Sequence, residues 1–223
     1  MRILPAAAAI VALATPSVAQ TPRDLLVAAG YQSRSKADAL AKVNAALRAA
    51  EAGLRARPHD PELKLQRALA IGYRGKLTRS RGDVVAARKA LEALVASHPR
   101  HAEAQLALGG WHLSALEELG IVARTVLGAR EAAGRAALDR AVALGRGSVI
   151  IPAYASLTLV EFNPKDTARP LQLAQAALAA PARSGVDQIM KRTAGQLVPH
   201  LRAGNGKVAA QLAKRLKPFG RLG

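Results

Sequence analysis

Few side chains in this chain are of a type and spacing that do chemistry. There are five histidines, His59, His98, His101, His112 and His200, and no cysteine. The absence of cysteine excludes disulfides, thiolate-ligated zinc, iron–sulfur clusters and a thiol nucleophile. His98 and His101 stand three residues apart, but Pro99 lies between them and no carboxylate adjoins. A metal site also needs a supporting outer shell, so this pair is expected in a solvated turn. Ser114 follows His112 without a third triad member, and no serine sits in a nucleophile-elbow pattern. Gly145-Arg146-Gly147-Ser148 follows a helical pattern rather than a strand, which is not the setting of a Walker-type phosphate loop. Glu117-Glu118 is an adjacent carboxylate pair. In so basic a chain it is expected to pair with Arg124 or Arg130 rather than to act as acid and base. The sequence therefore offers no catalytic residue, no cofactor site and no metal site, and the protein is read as non-enzymatic.

Trp111 is the only tryptophan, and Gly109 and Gly110 precede it. Glycine inside a helix costs about 1 kcal/mol relative to alanine. Close helix contact around the indole would offset that cost. The sharper role for Trp111 is a ligand anchor, because tryptophan is favoured at binding hot spots.

These residues are positioned by helices. Ala alone contributes 51 of the 223 residues, and there are only two Phe, three Tyr and one Trp. Ala and Leu are good helix formers and poor strand formers, so a sandwich or barrel is disfavoured. Helix-period apolar spacing between Pro and Gly breakers predicts helices near 36–57, 61–75, 83–97, 101–119, 129–144, 152–162, 168–180, 185–202 and 206–217. Residues 21–30 add a short one. Asp60 before Pro61 has the pattern of an N-cap followed by Pro at the first helical position. Val149-Ile150-Ile151 is the one stretch open to a strand, although Pro152 and the spacing of Ala155, Leu159 and Phe162 favour a helix.

An offset of 41 residues superposes two segments. Ala45, Ala46, Ala49, Glu51, Ala52, Pro58, Glu62 and Leu65 match Ala86, Ala87, Ala90, Glu92, Ala93, Pro99, Glu103 and Leu106. Small residues let two helices approach, the proline stops the second helix, and stacking with neighbours buries faces that one pair cannot. Ala52 to Pro58 and Ala93 to Pro99 look like the ends of second helices in the tetratricopeptide repeat (TPR) superfamily, and Leu108-Gly109 falls at its Leu-Gly position. The chain resembles that superfamily over residues 36–202. It departs from the unit of about 34 residues by extra residues at Lys76 to Arg81 and Gly120 to Gly128, and most of the aromatic positions are missing. Leu108-Gly109-Gly110-Trp111-His112 followed by Leu127-Gly128 also resembles the TPR-like region of regulator-of-microtubule-dynamics proteins. The resemblance implies an all-α array of about four helical hairpins, a short α-solenoid with a C-terminal capping helix, and no catalytic residues.

The remaining features concern place and partner. Met1-Arg2, the apolar run Ile3 to Ala14 and the small residues Ser17 and Ala19 form a secretory signal, with cleavage expected after Ala19. The protein is then secreted, or periplasmic in a Gram-negative source. Residues 20–35 form an N-terminal segment, 36–202 the repeat domain and 203–223 a basic tail. The chain carries 33 Lys+Arg against 15 Asp+Glu. No acidic residue follows Asp187. Val208, Leu212, Leu216 and Phe219 form an apolar stripe beside the basic residues Lys207, Lys214, Arg215 and Lys217. A solenoid binds along its concave face, lined by the first helix of each pair. Lys64, Arg67, Gln105, Trp111, His112, Gln188 and Lys191 are the ligand-binding candidates there. The leading expectation is a scaffold for a protein, peptide or small ligand, as an accessory subunit of an envelope or transport complex. The competing expectation is attachment to an anionic membrane surface through the basic C-terminal helix. Export and the scarcity of aromatics argue against nucleic acid as partner.

Overall fold

The computed structural model describes residues 20–222. The expected signal segment lies outside them. Ten α-helices follow one another, and no strand occurs among the described residues. They are α1 (Pro22–Tyr31), α2 (Lys36–Ala56), α3 (Pro61–Thr78), α4 (Arg81–Ser97), α5 (Ala102–Leu119), α6 (Glu131–Leu144), α7 (Ile150–Phe162), α8 (Ala168–Ala179), α9 (Gly185–Arg202) and α10 (Gly206–Leu216). A π-helical turn, Ala123–Leu127, lies between α5 and α6.

The helix starts follow from capping chemistry. Thr21 and Asp24 form a reciprocal capping box on α1. Ser35, Ser80 and Ser184 accept backbone N–H groups of α2, α4 and α9. The Asp60 carboxylate accepts from the N–H groups of Glu62 and Leu63, with Pro61 at the first helical position.

Three expected boundaries move. The segment from Lys76 is helical through Thr78, because α3 continues until Arg79 turns into the left-handed region (φ 57°) and Ser80 caps α4. Gly120 to Gly128 is an ordered π-turn between two glycines of positive φ. Val149 enters α7, and Pro152 sits in the first turn, where its missing N–H removes no helical bond.

Each helix packs on the next, and the core is a row of small clusters passed along the chain. Small residues line the crossing between α5 and α6. A Cβ added to Gly109 would lie 2.7 Å from Leu138 Cγ and 2.9 Å from the Gly134 carbonyl oxygen. One added to Gly134 would lie 2.9 Å from Leu113 Cδ2. Neither position has room for a methyl group, which accounts for glycine inside both helices.

Candidate functional site

The odd-numbered helices share a layer. Besides the sequential contacts, α1 touches α3, α5 touches α7, and α7 touches α9. Arg23 on α1 ties this layer together: its guanidinium reaches Glu62 of α3 and Glu103 of α5, each at 2.7 Å. Glu62 and Glu103 are equivalent positions of the 41-residue offset, and both meet the one guanidinium of Arg23.

The C-terminal segment lies on this same layer. Helix α10 packs on α7 and α9 through Ala209, Ala213 and Leu216, and Lys214 reaches Glu117 of α5 at 3.8 Å. Pro218 then ends the helix, and Lys217 to Leu222 crosses back toward α1. The Lys217 ammonium pairs with Glu161 of α7, donates to Ser114 Oγ of α5 at 3.2 Å and stands over the Tyr154 ring at 6.0 Å. Phe219 meets Tyr73 of α3 edge-on, ring centroids 4.9 Å apart, and its N–H donates to the Gly30 carbonyl of α1 at 2.9 Å. It holds a left-handed backbone (φ 66°), uncommon for a bulky residue. Pro218 lies against Gly30, where a Cβ would come 2.9 Å from the proline's own Cβ. Lys217 is 8% exposed and Phe219 6%. Every one of these partners belongs to an odd helix.

Lys217 therefore departs from the basic surface expected of it. Lys207, Lys214 and Arg215 are exposed, but Pro218 turns the chain inward and carries the lysine onto Glu161. Burial pulls the Lys217 ammonium below its ordinary pKa, and Glu161 opposes that pull. Burial likewise raises the Glu117 carboxyl, with Glu161 adding to the effect and Lys214 reducing it. The Tyr73 phenol is pushed up to about 12 and that of Tyr154 higher still, both by burial. Glu117 and Glu118 pair with Lys214 and Lys76, the latter at 2.7 Å, not with Arg124 or Arg130. The turn after α5 sends those arginines away from it.

The ligand-binding candidates are dispersed. Arg67 points to Glu51 of α2 at 3.4 Å, and Gln105 donates to the Pro99 carbonyl at 3.2 Å. Lys64 and Lys191 are half-buried, and Gln188 is exposed. Trp111 donates from Nε1 to the Val84 carbonyl of α4 at 3.1 Å, with the Arg88 guanidinium 5.8 Å from its ring. His112 is 1% exposed, and its Nδ1 accepts the Arg130 N–H at 3.2 Å. Only Trp111 and His112 touch, edge-on with centroids 5.1 Å apart. Both are tied into helix packing. Burial, with help from Arg130 and Arg88 and against Glu92, lowers the His112 pKa to about 4, so the imidazole is neutral near pH 7.

The residues that do converge are Ser114, Tyr154 and Glu161 around one ammonium, and Gly30 and Tyr73 around one aromatic ring. Glu161 had a sequence signal: it is the sole charge in the apolar helix Ile150–Phe162. Such a cluster binds a cationic side chain and an aromatic neighbour carried on a turn, the conformation that Lys217 to Arg221 adopt. Among the described residues no three His, Asp or Glu side chains gather as a metal site, and no helix is long and apolar enough to cross a membrane. Comparison with protein-family models, with curated proteins and with solved structures gave no match.

Proposed function

We propose that the chain is a non-enzymatic, exported TPR-like scaffold that binds a peptide segment of a partner protein along the concave face formed by α1, α3, α5 and α7. The observation that carries this reading is the tail itself. That face accommodates a turned segment, takes a lysine between Glu161, Ser114 and Tyr154, and seats a phenylalanine on Tyr73. Glu117, Glu118 and Glu161 give the face acidic groups in a chain of formal charge +18, which suits a basic ligand. The partner segment is then a lysine or arginine followed closely by an aromatic residue, competing with the chain's own tail. An accessory role in an envelope or transport complex fits such a module.

Attachment to a surface through α10 draws less support. That helix spends Ala209, Ala213 and Leu216 on α7 and α9, and of the expected apolar stripe Val208 stays exposed, because the buried face runs through the alanines instead.

The test is fluorescence anisotropy with a labelled peptide copying residues 215–221. Full-length protein carrying Phe219→Ala should bind it saturably and more tightly than wild type does, because its own tail competes less well. A peptide with Glu in place of the lysine should not bind. A folded Phe219→Ala protein that takes up neither peptide, or both equally, would refute the reading.

A further inference from the structure

Among the described residues, the turn joining α5 to α6 carries most of the large apolar side chains left in water. Leu119 is 49% exposed, Ile121 69%, Val122 49% and Val126 38%. Four such residues fall within eight positions, whereas the other exposed large hydrophobics among the described residues, Leu178 and Val208, stand alone. Scattered exposed aliphatics are ordinary; a contiguous group marks an interaction surface.

The turn is built to hold them out. Gly120 (φ 54°) lets the chain leave α5, and Gly128 (φ 72°) closes the π-turn Ala123–Leu127. Ala123 and Leu127 are buried, Ala123 in one cluster with Leu116 and Ala129. The Thr125 hydroxyl is turned back onto the Ile121 carbonyl at 3.2 Å. Apart from arginines, the tip offers no free polar side chain.

The rim is cationic. Arg124 lies in the turn and Arg130 at its base, lining one shallow depression with Arg135 and Glu131. The Lys76–Glu118 contact places the end of α3 beside the end of α5, and Arg79 lies in the turn that follows α3, with Arg81 at the start of α4. Arg79, Arg81, Arg124 and Arg130 are all exposed, and none makes an ion pair among the described residues. The nearby acids are already matched: Glu118 by Lys76, Glu131 by Arg135 at 2.9 Å and Glu92 by Arg88 at 2.8 Å.

The geometry points to this tip as a docking surface for an anionic lipid bilayer, the aliphatics entering the acyl boundary and the four arginines meeting headgroup phosphates. Aliphatic groups on a convex turn can enter a bilayer without a pocket to receive them, and an uncompensated cationic rim complements anionic headgroups. This surface is independent of the concave face, so the protein could bind a peptide while seated on a membrane.

Co-sedimentation of the full chain with vesicles tests this. Phosphatidylcholine vesicles containing phosphatidylglycerol should bind the protein, with affinity falling as salt rises. Phosphatidylcholine alone should bind it at least about tenfold less well, at about fivefold per arginine engaged. Ile121→Ser with Val122→Ser should weaken binding to the anionic vesicles by about tenfold or more. Lys207→Gln, Lys214→Gln and Arg215→Gln together should leave it within about twofold. No binding by wild type, equal binding by the Ile121→Ser/Val122→Ser protein, or a larger loss from the α10 triple variant would each overturn the proposal. So would sedimentation equilibrium showing that the two serines abolish self-association, since the tip would then pair copies of the chain. Failure of peptide capture by the Phe219→Ala protein leaves this result unaffected.

Discussion

Acid should loosen the junction of α5 and α6 through one side chain. His112 is buried and neutral, accepting the Arg130 N–H on Nδ1, and its pKa is lowered from 6.5 to about 4 by desolvation. In the unfolded chain the ring takes up its proton near 6.5. Between these two values the unfolded state binds more protons, so stability falls as pH drops from about 6.5 to about 4 and levels off below. At about 1.4 kcal/mol per pH unit of separation, the loss is about 3 kcal/mol. That is a large share of the 5–15 kcal/mol, roughly, that holds a domain together. Urea denaturation followed by circular dichroism should show the midpoint falling by about 1–1.5 M across this range, for a slope of about 2–3 kcal/mol per molar. Glu117 works in the opposite sense. Its carboxyl is raised by burial, so its contribution grows as pH falls through that raised value and partly masks the histidine; Glu117→Gln should steepen the acid loss. His112→Gln keeps an acceptor for Arg130 without the titration, and should flatten the profile. Equal pH slopes for wild type and His112→Gln between 6.5 and 4 would refute the reasoning.

Other substitutions address the packing and the tail. Gly109→Leu should lower stability by about 1–3 kcal/mol, seen as a lower thermal midpoint, because even its Cβ meets Leu138 and the Gly134 carbonyl below 3 Å. Lys217→Met should destabilise by about 3–5 kcal/mol in urea, leaving Glu161 buried and alone, whereas adding Glu161→Leu should recover most of the loss. Asp60→Ala should cost about 0.5–2 kcal/mol by removing the acceptor for two N–H groups of α3, again read from the urea midpoint.

The helical architecture was legible because each element has local instructions. Asp60-Pro61, the capping serines and the Gly and Pro breakers act within a turn of the boundary they set. The run 185–202 and the start of α10 at Gly206 fall where spacing and breakers put them. The extension of α3 to Thr78 was hidden, since it ends on Arg79 in a left-handed conformation that carries no glycine signal. Glu62 and Glu103 were visible as repeats, but not as two ligands of one arginine, because Arg23 precedes the repeating region. The site was least legible. Leu216 and Phe219 were rightly spaced as apolar positions, yet nothing local says that Pro218 turns Phe219 onto Tyr73. Lys217 looked like one more surface cation, because its burial depends on Glu161 and Ser114 from distant helices.

The clasp between the tail and α1 also dictates an order of events. Hairpins such as α2–α3 close over short stretches of chain and can form early. The bond from Phe219 to Gly30 joins residues at opposite ends of the described chain, and closing so long a loop carries the largest entropic cost in the molecule. A stack of helices must already stand before the phenylalanine has Tyr73 to meet. Helical content should therefore return before the tail is seated, and for that interval the helices stand with Tyr73, Tyr154 and Glu161 uncovered by the tail.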